Sequence, residues 1–154
     1  MAQVAGTLSL NAGAVTDQLF STAVGDALTA AKVQHVYKAL TAMGFAIGGT
    51  PTTREEVVFV ASGTGTVLFF KAGLVATGSS TSITFDLKKN GSSILTSVIT
   101  VTNANSARQI QDASISSSSF VDEDVFSIAM TVSSSTGAQG PICFAEFREN
   151  TSPS

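Results

Sequence analysis

"FDLKKNGSSILTS", Phe85 to Ser97, is the stretch whose reading decides the fold. Apolar residues alternate up to it (Ile83, Phe85, Leu87), Asn90-Gly91 breaks the run, and a second apolar-rich run leaves on the far side. That is the pattern of two antiparallel strands joined by a tight turn. Two registers compete. A two-residue Asn90-Gly91 loop sets Leu87 opposite Ile94 and Ile83 opposite Val98. A three-residue Lys89-Asn90-Gly91 loop sets Phe85 opposite Leu95 and carries the face on through Ile99 and Val101, a longer apolar series and therefore the expected register.

Working outward, the same grammar repeats. Predicted strands are Glu56–Ser62, Thr66–Val75, Thr81–Lys88, Ile94–Thr102, Ala107–Ile115, Asp124–Ser133 and Pro141–Glu149, separated by segments such as "ATGSS", "NANS" and "SSSTGAQG". "QVAGTLSL" near the N-terminus supplies an eighth. Eight antiparallel strands in two sheets is the count of a jelly roll. An immunoglobulin-like sandwich has a similar strand pattern, but its buried Trp and Cys pair are missing, which favours the jelly roll. The expected organisation is an N-terminal arm or helix with one strand over residues 1–55, a β-sandwich over 56–149 and a flexible tail over 150–154.

The arm reads in two ways. Asp26 as an N-cap, Val33, Val36, Tyr37, Leu40 and Met43 at helical spacing, and Gly44 as a C-cap predict a helix from about Ala27 to Met43. Frequent Val, Thr and Gly favour an extended arm instead. Either form leaves apolar side chains in need of a surface. The candidate partner interface is therefore Val33, Val36, Tyr37, Leu40, Met43, Phe45 and Ile47.

Composition narrows the function. Charged residues are 12% of the chain, about half the usual share, so Ser, Thr, Gly and Asn cover the outside. Net charge is −3 and the cations are scattered from Lys32 to Arg148, which argues against nucleic acid and against a polybasic membrane contact. No apolar run reaches the length of a membrane span. "MAQV" carries no cationic leader, so synthesis as a soluble cytoplasmic chain is expected.

Chemistry-bearing residues are sparse. Cys143 in "PICFAEF" reads as a buried small hydrophobe, and the single His35 has no carboxylate at catalytic spacing. "GLVATGSS" has phosphate-loop glycines but Ser79 where a Lys is needed. Asp122, Glu123 and Asp124 are too few oxygens for calcium by themselves and read as a solvated turn. Arg54, Glu55 and Glu56 read as a solvated strand start or an intersubunit ion pair. Asn90-Gly91-Ser92 and Asn150-Thr151-Ser152 match the glycan acceptor pattern by chance in so Asn- and Ser-rich a chain. The ten Phe, with no Trp and one Tyr, suit a core better than a sugar platform. No catalytic residue, cofactor or metal is assigned.

"ITFDLKKNGSSILTSVITVTN", "VDEDVFSIAMTV" and "STGAQGP" together resemble a jelly-roll module of tailed-bacteriophage virion proteins, found in capsid decoration (cement) proteins and at the ends of tail or fibre proteins. The resemblance covers roughly Val57 to Phe147, and departs from the pattern where Glu123 replaces a Gly. It implies a non-enzymatic structural or attachment module, typically a homotrimer. With no shaft sequence attached, the expectation is a decoration protein on the capsid exterior that bridges major capsid subunits. A tail or fibre tip receptor-binding module is the first alternative, and a carbohydrate-binding module the second.

Overall fold

The strands of this chain run longer than its turn residues predict. The computed structural model describes residues 34–150. Eight antiparallel strands appear there: β1 (Gln34–Thr41), β2 (Arg54–Val60), β3 (Gly65–Lys89), β4 (Ser92–Ser93), β5 (Ile99–Thr102), β6 (Ile110–Ala113), β7 (Ser119–Phe120) and β8 (Val125–Asn150). β3 and β8, of 25 and 26 residues, pair with each other along almost their whole length. Strands of ordinary domains have 3–10 residues.

Each long strand contains two of the predicted ones, joined through a bend instead of a turn. "ATGSS" and "SSSTGAQG" stay hydrogen-bonded because their glycines face each other. The ladder slips between Thr77 and Ser80, and Gly78 (φ 67°), Gly137 (φ 76°) and Gly140 (φ 59°) take left-handed backbone there. The consequence is measurable on β8 itself. Phe126 and Phe147 would be about 70 Å apart on a straight strand, yet their ring centroids are 4.9 Å apart.

Folded over in this way, the sheet forms two layers. One has the order β1, residues 138–150 of β8, residues 65–77 of β3, then β6 and β7. The other has the order β2, residues 125–136 of β8, residues 80–89 of β3, then β5. Counting each long strand as two and setting aside the two-residue β4 and β7, the pairs are first with eighth, second with seventh, third with sixth and fourth with fifth. This nested pairing is that of a jelly roll.

Phe147, Phe126, Phe70, Phe85, Ile83, Leu87, Ile128 and Met130 are fully buried between the layers. Phe59 of β2 stacks on Phe147 at 4.4 Å and 20°, tying one layer to the other. Cys143 lies in the same core, and burial pushes its thiol well above the usual range, with Glu56 adding to the shift.

β1 corrects the helix expected over Ala27–Met43: residues 34–41 are a strand paired with Cys143–Asn150, and residues 27–33 lie outside the described residues. Val36 and Leu40 share a side in either structure, since a spacing of four fits both a helical turn and an even strand step. The decision falls to the odd positions. Tyr37 and Ala39 turn inward together onto Phe59 and the core, which only a strand allows. Gly44 (φ 69°) does take a left-handed turn conformation, but it follows a strand. The N-terminal strand "QVAGTLSL" also lies outside the described residues.

The turn at Asn90-Gly91 corrects the register. Lys89 pairs with Ser92, and φ values of 50° and 80° make a two-residue type I′ loop, not the three-residue one. Ile94 donates its N–H to Leu87 O at 3.0 Å. The chain then loops out, and β5 rejoins with Phe85 opposite Ile99 and Ile83 opposite Val101. The excursion through Leu95–Val98 lets both apolar series face the core, which no single register could do.

Asn90 is occupied structurally. Its amide donates to Asp124 Oδ1 at 2.6 Å and accepts the Val125 N–H at 2.8 Å, while Asp124 Oδ2 takes the Val121 N–H at 2.8 Å. Asp124 is buried, not solvated as the sequence suggested. The Val121 N–H chiefly, with Asn90 and Lys89, holds its carboxyl below the usual range against the opposing effect of burial. Asp124→Ala is expected to cost about 2–3 kcal/mol by leaving these donors unpaired. Because the folded pKa is depressed, the carboxylate's contribution is full above the unfolded value near ~3.9 and is lost as pH falls through the lower folded value. Urea titrations of both proteins should therefore give midpoints that differ at neutral pH and converge in strong acid; a constant gap would contradict the assignment.

Candidate assembly surface

Strand alternation assigns the outward faces, and they differ. On the layer holding β2 and β5, the outward positions include Glu55, Asp86, Lys88, Thr84, Thr100 and Thr131, a largely polar surface carrying the Lys88–Glu55 ion pair at 3.0 Å, with exposed Val57, Val60 and Val125 only along its β2 edge. On the layer holding β1 and β6, the outward positions include Val36, Leu40, Phe69, Ile110, Ile142 and Phe144. Leu40 is 73% exposed, Val36 50% and Ile110 42%. Phe69 packs edge-on to Phe144 at 5.0 Å. A sandwich surrounded only by water has no use for an outer sheet face of this kind.

Charges on the apolar face are largely neutralised in place. Lys38 pairs with Glu146 at 3.6 Å and Lys71 with Asp112 at 2.9 Å, while the Lys71 ammonium also lies 5.3 Å from the Phe69 ring centre. Desolvating this surface therefore strands neither carboxylate. A hollow of about 460 Å³ lies between Leu40, Lys71, Ile110, Ile142 and Phe144. Ile142 also lines a second hollow of about 300 Å³, with Phe45, Ile47, Val75, Pro141 and Arg108.

The candidate interface residues separate. Val36 and Leu40 lie on the apolar face, and Ile47, 75% exposed, borders its second hollow. Tyr37 packs its ring against Phe59 but stays 38% exposed; partial desolvation, then the Glu149 carboxylate, raises its hydroxyl pKa. Met43 is fully buried, and Phe45 is half-buried beneath Arg54, whose guanidinium sits 5.6 Å from its ring centre. Val33 lies outside the described residues. Residues not singled out from sequence complete the face: Phe69, Ile110, Ile142 and Phe144. A signal for two of them was present in "PICFAEF", where apolar residues occupy both parities, so that strand has to be covered on both sides.

Other candidates resolve into structure. The Arg54–Glu56 contact at 3.0 Å is an ion pair within the chain, not between subunits. His35 Nδ1 lies 3.3 Å from the Tyr37 hydroxyl on the surface. Among the described residues no group of three or more His, Cys, Asp or Glu is placed to hold a metal ion, and no helix is long and apolar enough to cross a membrane.

No protein-family model matches the chain, and no curated protein matches it. A solved chain from the Bacillus endospore appendages, described as a novel family of disulfide-linked pili, is similar at 13% identity and a TM-score of 0.29, over 78% of this chain and 88% of that one. A similarity this slight bears on neither topology nor role.

Proposed function

We propose that the chain is a non-enzymatic structural subunit that works by burying surface in a larger assembly. The observation that carries this reading is the contrast between its two outer faces, one polar apart from the valines along β2, and one built of Val36, Leu40, Phe69, Ile110, Ile142 and Phe144 with two hollows along it. Joined to the resemblance of its sequence to phage virion modules, the reading becomes specific: a capsid decoration protein, homotrimeric, on the virion exterior, bridging major capsid subunits. Burial of apolar area at about 25 cal/mol per Å², less the cost of ordering, supplies the stabilisation.

Titration onto expanded phage heads tests this. The protein should saturate at a fixed copy number and raise the melting temperature of the heads; heads that bind none of it would remove the decoration reading. Leu40→Glu combined with Phe144→Glu should weaken assembly on the order of a hundredfold, since two hot-spot-sized side chains are replaced by charges.

A second reading, attachment to a host-surface glycan as a tail-tip or carbohydrate-binding module, draws on one observation. Between β5 and β6 lies a groove of about 310 Å³ lined by Thr96, Ser97, Thr100, Gln111, Asp112 and Ser114. The buried Gln111 Nε2 has no hydrogen-bond partner among the described residues. Binding on a glycan array, abolished by Gln111→Ala, would favour this reading over the first.

A further inference from the structure

Every carboxylate on the apolar face is already paired, whereas two of its cations are not. Arg148, exposed beside Val36 at one end of the face, and Arg108, exposed at the rim of the Phe45–Ile47 hollow at the other, make no ion pair among the described residues. Arg108 is also held in left-handed backbone (φ 59°), with its N–H on Leu74 O at 2.9 Å. Such a face does not suit a second copy of itself, because that contact would bury like charges together. Its complement is an extended apolar segment with two acids.

The chain carries one. Residues 1–33 hold two acidic residues, Asp17 and Asp26, and between them run Gln18-Leu19-Phe20-Ser21-Thr22-Ala23-Val24-Gly25. Thr66 of β3 pairs with Arg148, and Leu74 accepts from Arg108. The two cations are therefore separated by about eight strand residues, about 26 Å, while Asp17 and Asp26 are about 30 Å apart when extended. From these matches we infer that residues 17–26 of one copy lie across the apolar face of a neighbouring copy, Asp26 toward Arg148 and Asp17 toward Arg108, with Leu19 and Phe20 over the two hollows.

Chain length selects the neighbour over the same copy. Between Val15 and Val33, Gly25-Asp26 is the one pair containing glycine, hence the natural point of reversal. A chain that ran out from Gln34, reversed there and returned would bring Asp17 back only level with Gln34, at the Arg148 end. It could not reach Arg108. Passing from copy to copy in one direction, such contacts close into a ring, which is compatible with a trimer.

The inference rests on the assembly reading, and a charge-swap experiment on the full chain separates the two. Arg108→Glu with Arg148→Glu in one protein, and Asp17→Lys with Asp26→Lys in another, should each stay folded by circular dichroism yet lose self-association about tenfold or more in native mass spectrometry. Mixed, the two should associate in pairs, Asp arm on Arg face and Lys arm on Glu face, although a three-membered ring of two species keeps one like-charged contact. All four changes in one chain should restore the ring. Variants that associate as well as wild type would overturn the inference while leaving the assembly reading intact. A mixture that forms not even two-chain species, with rescue when all four changes sit in one chain, would place the arm on its own copy and overturn it equally. A monomeric wild type would overturn the inference, and one that also binds no heads would remove the assembly reading with it.

Discussion

Phe147→Ala is expected to lower the free energy of unfolding by about 3–5 kcal/mol, the range for removing a fully buried aromatic ring. The ring is inaccessible to solvent and is shared between the layers: Phe59 stacks on it at 4.4 Å, Phe126 lies at 4.9 Å and Phe120 at 6.4 Å. Its neighbours sit on strands whose backbones are fixed by the β3–β8 ladder, so the space left behind cannot collapse easily. Val57→Ala, on the polar outer face and 64% exposed, should change stability by no more than about 0.5 kcal/mol. Urea unfolding followed by circular dichroism gives both values, and similar losses at the two sites would contradict the assignment of faces.

Gly78→Ala is expected to be nearly as costly, about 3 kcal/mol, by a different mechanism. At φ 67° an added Cβ carries the left-handed penalty of about 1–2 kcal/mol. It would also stand 2.2 Å from Thr136 O and 2.6 Å from Ala138 N, backbone atoms of the facing strand that cannot swing aside. The two long strands would have to separate at the bend that creates the two layers. Gly91→Ala separates the contributions, because Gly91 has φ 80° with nothing within 4 Å of its added Cβ, and should show the left-handed penalty alone. Equal losses at Gly78 and Gly91 would mean that the close approach at the bend contributes nothing.

These two sites also show what was legible in the sequence. Alternation around Ile83, Phe85 and Leu87 identified a strand and its inward side correctly, and the strand predicted over Asp124–Ser133 lies within β8, because one buried face imposes period two. Gly78 and Gly137 were recognised as punctuation. Whether a glycine ends a strand or bends it depends on its partner across the ladder, which is a non-local fact. At β1, Val36 and Leu40 satisfy both periods, so strand and helix were distinguished only by pairing with Cys143–Asn150. The hairpin register was misjudged because a single ladder was assumed, whereas Leu95–Val98 loop out to reset it.

For the candidate surface, sequence located Val36, Leu40 and Ile47 but sought them on a separate arm. The face emerges only when β6 and the second half of β8 bring Ile110, Ile142 and Phe144 alongside Leu40. Asp124 was misread for a related reason: three adjacent acids look solvated until the Asn90 turn, from another hairpin, closes over one of them.

The apolar face needs a cover, and the inferred cover is another copy of the chain. Light scattering of the full-length protein at high concentration tests this most directly. The predicted result is a species of three times the 15.7 kDa protomer mass, reduced to protomers by Leu40→Glu with Phe144→Glu. A wild-type protein that remains at the protomer mass under the same conditions would contradict it.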